Sequence, residues 1–475
     1  MNRSAVAQSR RLVIILIAVS LVSSACISAR RTPNLEHIFA TARARTGKRP
    51  VIVIPGILGT ELINPKTRET VWPSAFRTSQ ERLPISLDLA ANRDDLVPGK
   101  IVETVKLARL LPEVYVYRDL LVALRRYAGY RDGDWNNPAA DGYQDTFYVF
   151  PYDWRQDNVS NARELIRRIA QLKTKLQRPD LKFNIVAHSM GGLIARYAAM
   201  YGDADLPAGD GPIQPTWLGA AHINKIVMIG VPNEGSADAF ATLIEGYSIT
   251  EGLRRRVPLL NKLTAEDSVS TPSVFQLMPH KQAVSFLDEN LQPLAVDLYD
   301  PEVWKRYGWS VIYSPEFRRR YAPAAGTDGG NGKSEDDLDA YLAMTLKRAR
   351  RFHEALDAVS DASTPVVLLA IGGDCEETLR APVILRDQKR NRWLTLTRPR
   401  EYRTSTGVKI SKQKATEAMY APGDGRVTRT SLLGENLFKS LSRYAVFGCD
   451  LHGQLPRNAT LQDNSLTAIV CEVIN

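Results

Sequence analysis

Ser189 is the residue whose sequence context most favours chemistry. It lies at the centre of residues 187–191, AHSMG, between an apolar β-branched run and an amphipathic helical pattern that starts at Leu193. A sharp strand-to-helix turn of this kind exposes a serine as a nucleophile and requires small neighbours two residues away on either side. Ala187 and Gly191 are small enough, although alanine replaces the glycine usual at the first position.

A serine hydroxyl needs a base to take its proton and an acid to orient that base. In folds with this turn, the chain order is serine, acid, histidine. His353 lies in a helical pattern at 342–356, where we expect an exposed or otherwise satisfied side chain, and His280 lies in a cap-like segment. His452 follows the last predicted buried strand and is therefore the predicted base.

Two aspartates could orient His452. Asp424 lies between two glycines in residues 421–427, APGDGRV, 28 residues before His452. Asp374 follows the predicted strand at 365–371. Spacing alone leaves both assignments open.

Stabilising an oxyanion requires backbone N–H donors. Met190 directly follows the serine, and Ile57 lies in residues 55–59, PGILG, after the first predicted strand. We expect the N–H groups of Ile57 and Met190 to form an oxyanion hole.

The elements that must position these residues alternate between strands and helices. Buried strands are predicted at 50–54, 146–150, 183–187, 225–230, 365–371 and 444–447. The clearest helix begins near Ser160 and Asn161. This alternation predicts an α/β fold with a mostly parallel sheet and helices on both faces. We expect one domain over residues 48–475, with insertions near 60–120 (a lid) and 235–345 (a cap).

The first residues are typical of an export signal. Three arginines precede an apolar run at 12–22 that is too short to cross a bilayer as a helix. Small residues then precede Cys26, as in the lipobox of bacterial lipoproteins. We expect a signal peptide at 1–26 with lipidation at Cys26, a tether at 27–47, and an exported protein, either periplasmic or an outer-membrane or cell-surface lipoprotein.

The composition narrows the class of protein. With 44% hydrophobic and 24% charged residues, the chain is neither disordered nor a multi-span membrane protein. The net charge of +10 could favour a membrane surface, although the basic residues look scattered, and no nucleic-acid motif accompanies them. Cysteines and histidines lack metal-site spacing, so we expect no metal, no cofactor and no nucleic-acid partner.

Five motifs in a common order carry a resemblance to a known family. They are 53–59 (VIPGILG), 150–155 (FPYDWR), 187–192 (AHSMGG), 230–236 (GVPNEGS) and 423–427 (GDGRV). Together they resemble the lecithin:cholesterol acyltransferase family over most of residues 50–460. The resemblance selects Asp424 as the acid, because 423–427 matches the family's GDGTV loop with Arg426 in place of threonine. It also implies the oxyanion roles of Ile57 and Met190.

The resemblance implies an α/β-hydrolase that cleaves or transfers lipid acyl esters, such as those of phospholipids, through an acyl-enzyme. Water or an alcohol would accept the acyl group at a membrane surface. A thioesterase or other small-ester hydrolase is the alternative on the same fold, and a catalytically silent lipid-binding surface protein is the alternative of another class. We expect a structural pairing of Asp153 with Arg155. Because Cys375 and Cys449 both follow strands predicted to be neighbours, we hypothesise a disulfide between them.

Overall fold

The structure is a computed structural model that describes most of the chain after the predicted signal peptide. The described residues are 32–73, 96–106, 113–248, 262–283, 285–321, 335–359, 365–434 and 445–471. The predicted signal peptide, Cys26 and the start of the predicted tether lie outside them.

The bounds of the described elements are as follows. The strands are β1 Val51–Ile54, β2 Thr60–Ile63, β3 Thr70–Trp72, β4 Val97–Ile101, β5 Thr104–Lys106, β6 Glu113–Tyr115, β7 Arg131–Asp132, β8 Thr146–Val149, β9 Phe183–His188, β10 Ile223–Ile229, β11 Tyr247–Ser248, β12 Lys262–Leu263, β13 Phe286–Leu287, β14 Pro293–Leu294, β15 Val367–Gly373, β16 Glu376–Leu379, β17 Val383–Asp387, β18 Arg392–Leu396, β19 Tyr402–Arg403, β20 Lys409–Ile410, β21 Tyr420–Gly423 and β22 Ala445–Gly448. The α-helices are α1 Leu35–Ile38, α2 Ala40–Ala44, α3 Arg118–Arg126, α4 Asn158–Lys175, α5 Met190–Tyr201, α6 Ala237–Glu245, α7 Ala265–Val269, α8 Pro272–Phe275, α9 Pro301–Tyr307, α10 Pro315–Tyr321, α11 Glu335–Asp357, α12 Lys412–Met419, α13 Arg429–Leu433 and α14 Ala459–Val470. Short 3-10 helices cover Leu218–Ala221, Lys281–Ala283, Val311–Tyr313 and His452–Arg457.

The centre of the fold is a seven-stranded sheet in the order β22-β15-β10-β9-β1-β8-β7. Every neighbouring pair in it is parallel. Strands β1 and β9 are adjacent, so the loop after β1 and the turn after β9 meet at one edge. The predicted α/β fold with a mostly parallel sheet is therefore confirmed.

Helices cover both faces of this sheet. Ile52 and Ile185 pack in one hydrophobic cluster with residues of α4, α5 and the end of α11. The alternate residues Val53 and Val186 pack in a second cluster with α1, α3 and α14. Because successive side chains of a strand point to opposite faces, the continuous apolar runs serve both clusters. None of the described helices is both long enough and apolar enough to cross a membrane.

The aromatic-rich segment predicted as a cap has a hydrophobic core of its own. Phe240, Trp304, Trp309 and Tyr341 belong to one cluster, in which the rings of Phe240 and Trp309 lie 4.7 Å apart. The predicted boundary at 345 is not an end in the structure, because α11 continues to Asp357 and its Phe352 stacks on Tyr197 of α5, with ring centroids 5.8 Å apart. One helix thus joins the cap to the layer covering the sheet.

Part of the segment predicted as a tether is folded onto the domain. Residues 35–44 form α1 and α2, and Leu35 and Phe39 are buried against α3. These two apolar residues are one helical turn apart, so they anchor the segment to the sheet's second cluster. The prediction of a tether through residue 47 is therefore wrong for 35–44.

The insertion predicted as a lid is largely β-structure where it is described. Strands β3, β2 and β4 form a small antiparallel sheet, and β5 pairs with β6. Residues 74–95 and 107–112 of this segment lie outside the described residues. The segment ends where α3 begins at Arg118.

Residues 380–419 form an insertion that the sequence analysis did not identify. They lie between β16 and β21, which pair with each other, and they contain the β17–β18 and β19–β20 pairs and α12. Strand β17 also pairs with β13 of the cap. The 380–419 insertion is thereby fixed to both the cap and the strand that leads to Asp424.

The expected pairing of Asp153 and Arg155 is present in the structure. The Arg155 guanidinium donates to both Asp153 carboxylate oxygens, at 2.9 and 2.7 Å. Arg155 is fully buried. A buried charge requires such a partner, which supports a structural role for this motif.

Candidate active site

Ser189 occupies the turn between β9 and α5 in a strained backbone conformation. Its φ is 52° and its ψ is −128°, which a residue with a side chain rarely adopts. Its backbone N–H donates to the Ile229 carbonyl at 2.8 Å, which pins the turn to strand β10. The predicted strand-to-helix turn therefore holds Ser189 at the carboxyl edge of the sheet.

Two glycines allow the loop after β1 to pack directly on this turn. A Cβ on Gly191 would lie 2.5 Å from the Pro55 carbonyl oxygen, and a Cβ on Gly56 would lie 2.8 Å from Cβ of Ser189. Side chains at these positions would push the loop and the turn apart. The loop that contains PGILG and the turn that contains AHSMG therefore pack closely against each other.

His452 and Asp424 extend a hydrogen-bonded chain from Ser189. Nε2 of His452 lies 2.9 Å from Oγ of Ser189, and its Nδ1 lies 2.8 Å from Oδ2 of Asp424. With Nδ1–H donated to the carboxylate, Nε2 presents its lone pair to the serine hydroxyl. This is the geometry in which a histidine can take a serine proton.

The loop that carries Asp424 fixes its carboxylate. Oδ1 accepts the backbone N–H groups of Arg426 at 3.0 Å and Val427 at 2.7 Å. The His452 N–H also donates to the Asp424 carbonyl at 2.8 Å, which joins the acid and base loops. The rival, Asp374, instead pairs with Arg429 at 3.2 Å. The structure thus places Asp424, rather than Asp374, against His452.

Of the two predicted oxyanion donors, Met190 directly follows Ser189, and Ile57 lies in the loop after β1 that packs on the Ser189 turn. Met190 is the first residue of α5, so its N–H has no partner within the helix, and the helix dipole favours negative charge there. Ile57 follows Gly56 and lines the same cavity as Ser189. Both residues thus lie beside Ser189, and their roles as oxyanion donors remain a prediction.

A buried network of Tyr117 and His188 connects these loops, and the sequence analysis missed it. The Gly56 N–H donates to the Tyr117 hydroxyl at 2.7 Å, and this hydroxyl lies 2.8 Å from Nδ1 of His188. Nε2 of His188 lies 3.1 Å from the His452 carbonyl oxygen. Because a carbonyl oxygen only accepts, Nε2 of His188 must carry the ring proton. Nδ1 of His188 is then free to accept the hydroxyl proton of Tyr117. The donor and the acceptor of each of these hydrogen bonds are therefore determined. Burial and the nearby His452 lower the pKa of His188, which keeps this ring neutral.

Replacing Tyr117 with phenylalanine should lower kcat about 10- to 100-fold with a smaller change in KM. The change leaves the Gly56 N–H and His188 Nδ1 buried without a partner, at a cost of about 1–3 kcal/mol each, and releases the loops they align. Steady-state kinetics on a soluble ester and a thermal melt test this expectation. Tyr130→Phe is the matched control. Tyr130 is also buried, but its hydroxyl donates to the Ile469 carbonyl and not to the loops around Ser189. An unchanged kcat in Tyr117→Phe would show that the network does not position the site.

The two histidines that were set aside as bases form a buried pair. The rings of His280 and His353 stack with centroids 4.0 Å apart, and Nε2 of His280 lies 3.0 Å from Asp357. Both histidines are buried, and the His353 ring nitrogens have no hydrogen-bond partner among the described residues. The expectation of an exposed or satisfied His353 is therefore wrong, because α11 turns this face onto the cap rather than to solvent. Burial, followed by His280, lowers the pKa of His353.

The free energy of unfolding should therefore fall as the pH drops below about 6.5, the ordinary pKa of histidine. The unfolded chain binds protons that buried His188 and His353 do not bind in the folded state, so stability is complete above this pKa and is lost below it. The loss should reach about 4 kcal/mol for the two residues between pH 7.5 and 5.0. Urea unfolding at both pH values measures this loss of stability.

The variant His353→Asn should reduce the difference in stability between the two pH values by about half, whereas His37→Gln, at an exposed histidine, should leave that difference unchanged. Equal pH dependence in all three proteins would contradict this account.

A disulfide braces the loops that carry the base and the acid. Cys375 and Cys449, the hypothesised pair, are joined at an S–S distance of 2.01 Å. Cys449 lies three residues before His452, and Cys375 directly precedes β16, which pairs with β21. The bond thus links the loop of His452 to the strand pair that ends at Asp424.

Ser189 and His452 line a cavity of about 610 Å³. One part of its wall is apolar and includes Ile57, Trp72 and Leu277. The polar part includes Arg426, which pairs with Asp238 and lies 4.5 Å from the centre of the Tyr247 ring. A cavity of this size, lined by both apolar and polar side chains, can hold an apolar chain together with a polar group.

Comparisons with known proteins relate the chain to one family model and to several solved structures. Residues 135–312 match the model of the lecithin:cholesterol acyltransferase family. No sequence among the curated proteins matches the chain. The crystal structure of the Tle4–Tli4 complex is similar at a TM-score of 0.56 and 15% identity, covering 89% of this chain and 98% of that chain. The mature Bacillus licheniformis lipase BlEst2 has a TM-score of 0.33 at 10% identity, covering 90% of this chain and 93% of that one.

The TM-score with the Tle4 complex shows a shared fold over nearly the whole of both chains. The family match spans the FPYDWR, AHSMGG and GVPNEGS motifs, and so includes the turn that holds Ser189. The chain thus has an α/β-hydrolase fold, and its residues 135–312 match the model of the lecithin:cholesterol acyltransferase family.

Proposed function

We propose that this protein is a serine acyl-ester hydrolase or O-acyltransferase that acts on lipids. The observation that carries the proposal is the chain of hydrogen bonds from Ser189 through His452 to Asp424, at 2.9 and 2.8 Å, at the wall of a mainly apolar cavity. The family match over residues 135–312 supports an acyl ester as the substrate.

The proposed mechanism has two steps. Oγ of Ser189 attacks the ester carbonyl carbon while Nε2 of His452 takes the hydroxyl proton. The N–H groups of Ile57 and Met190 donate to the oxyanion, and Asp424 stabilises the protonated imidazole. The bond to the alcohol then breaks as His452 returns the proton to the leaving oxygen. An acyl group remains on Ser189.

The second step repeats the first with a new nucleophile. Water releases a fatty acid, and an alcohol yields a new ester, while His452 again transfers the proton. The roles of Ser189, His452 and Asp424 are identical in both cases. The acceptor therefore decides between a phospholipase or esterase and an acyltransferase.

The direct test incubates the purified protein with phospholipid vesicles, with and without an alcohol acceptor, and quantifies free fatty acid and transferred ester. We expect release of fatty acid in the absence of acceptor and its replacement by new ester if transfer dominates. Acyl-thioester and short soluble ester substrates belong in the same assay. Turnover of a thioester without turnover of any oxygen ester would favour the thioesterase alternative.

We also propose export and lipidation at Cys26, on the strength of the basic and apolar residues that precede it. Two acyl chains on this cysteine would hold the enzyme stably at a membrane. Mass spectrometry of the N-terminal peptide tests the proposal. An unmodified Cys26 in protein isolated from the native membrane fraction would contradict it.

A further inference from the structure

We propose that the 380–419 insertion is a docking surface for membranes rich in anionic phospholipid. Docking there would bring the mouth of the Ser189 cavity to the lipid. The inference rests on the proposed function, since it assumes that the substrate lies in a membrane. It assigns the contact to a specific part of the chain.

The positive charge of the protein is concentrated in this insertion. Residues 386–417 contain ten lysines and arginines but three acidic residues, a net charge of +7 out of +10 for the whole chain. The net positive charge is therefore distributed less evenly along the chain than the basic residues themselves. Lys389, Arg390 and Arg392 lie at the tip of the β17–β18 hairpin and are exposed. Lys409, Lys412 and Lys414 are exposed around β20 and the start of α12.

Two large apolar side chains are exposed among these basic residues. Trp393 is 37% exposed and directly follows Arg392, and Val408, in the turn between β19 and β20, is 54% exposed. The Trp393 ring lies 5.0 Å from the guanidinium of Arg386. Tryptophan is favoured at the boundary between head groups and acyl chains, and lysine and arginine are attracted to anionic head groups. This combination fits a lipid surface better than a purely polar polyanion.

Part of the insertion lies beside the active-site cavity. A small cleft of about 120 Å³ is lined by Arg398 and Tyr420 and also by Thr242 and Arg426, which line the main cavity as well. The insertion leads directly into β21 and Asp424. Part of the insertion is therefore adjacent to the cavity that contains Ser189.

The test measures binding to vesicles by sedimentation, with anionic phosphatidylglycerol mixed into phosphatidylcholine or with phosphatidylcholine alone. All proteins carry Cys26→Ser, so that no acyl anchor contributes, and Ser189→Ala, so that the vesicles stay intact. The test variant reverses three charges, Lys389→Glu, Arg390→Glu and Arg392→Glu. The control reverses three exposed charges elsewhere, Arg167→Glu, Arg319→Glu and Lys347→Glu, with the same change in net charge.

We expect the test variant to bind the anionic vesicles roughly 100-fold more weakly than its parent, and the control variant to lose much less. Binding of the parent should also fall steeply at high salt. Equal binding to neutral and anionic vesicles, or equal losses in both variants, would overturn the proposal. The proposal would also be overturned if the parent bound a DNA duplex more tightly than the anionic vesicles and the test variant lost this DNA binding.

A separate arm distinguishes this proposal from the proposed function. With Ser189 intact, the test variant should hydrolyse a short soluble ester at the parent rate while losing activity on anionic vesicles. If the parent hydrolyses no ester, the proposed function fails while vesicle binding still decides the docking proposal. If soluble and vesicle activities fall together, the variant has damaged the active site and the docking assignment is contradicted.

Discussion

Ser189→Ala is expected to lower kcat for ester hydrolysis by roughly 10⁴- to 10⁶-fold. The change removes the one oxygen that lies 2.9 Å from Nε2 of His452, so no acyl-enzyme can form. KM on a soluble ester should change little, because the cavity wall is otherwise intact. Steady-state kinetics and a thermal melt check both parts of the expectation.

The matched control for this change is Ser160→Ala, at an exposed serine in the first turn of α4. It should retain the wild-type kcat. A Ser189→Ala enzyme that keeps more than about one hundredth of the wild-type rate, with no contaminating hydrolase, would remove Ser189 from the mechanism.

Asp424→Asn is expected to lower kcat by about 10³- to 10⁴-fold without unfolding the protein. The equivalent change in serine proteases costs about 10⁴-fold, because an amide favours the wrong histidine tautomer. Here Oδ2 of Asp424 lies 2.8 Å from Nδ1 of His452 and accepts its proton, so an amide N–H facing Nδ1 would put the proton on Nε2 and block it as a base. The same kinetic assay across pH 6 to 9 measures the loss.

Asp374→Asn is the matched control, because this residue was the rival acid from sequence and pairs with Arg429 instead. We expect its kcat to remain within about threefold of wild type, since a partly exposed ion pair contributes about 1 kcal/mol or less. A large loss in Asp374→Asn together with a small loss in Asp424→Asn would reverse the assignment of the acid.

The sequence predicted the core of the fold because buried parallel strands are continuous apolar runs. The predicted strand at 183–187 lies within β9, and that at 225–230 overlaps β10. The two-residue strand β7 was too short to leave such a pattern. Helix α4, the clearest helix in the sequence, begins at Asn158 rather than near Ser160, because Asp157 accepts the N–H groups of Val159 and Ser160 as the cap.

The candidate site was predictable where one local motif determines each residue. The turn at Ser189, the loop of Ile57 and the position of His452 after a strand all follow from short segments. Asp424 could not be separated from Asp374 in this way, because the choice depends on which loop approaches His452 in space. Family resemblance selected Asp424, and the structure places it there.

Other features depend on contacts between distant parts of the chain. Tyr117 meets His188 across 71 residues of sequence, within a segment that was predicted only as a lid. The presence of His188 next to the serine was a signal, but nothing nearby in sequence identified its partner. The 380–419 insertion was missed because its short strands are partly exposed and interrupted by charged residues.

The most direct test of the account is covalent labelling with a fluorophosphonate, followed by peptide mass spectrometry of the digested protein. We expect one major adduct on Ser189, no adduct on Ser189→Ala, and slower labelling of His452→Ala, because the hydroxyl then lacks its base. Failure to label the wild-type protein, or undiminished labelling of Ser189→Ala, would contradict a mechanism based on Ser189.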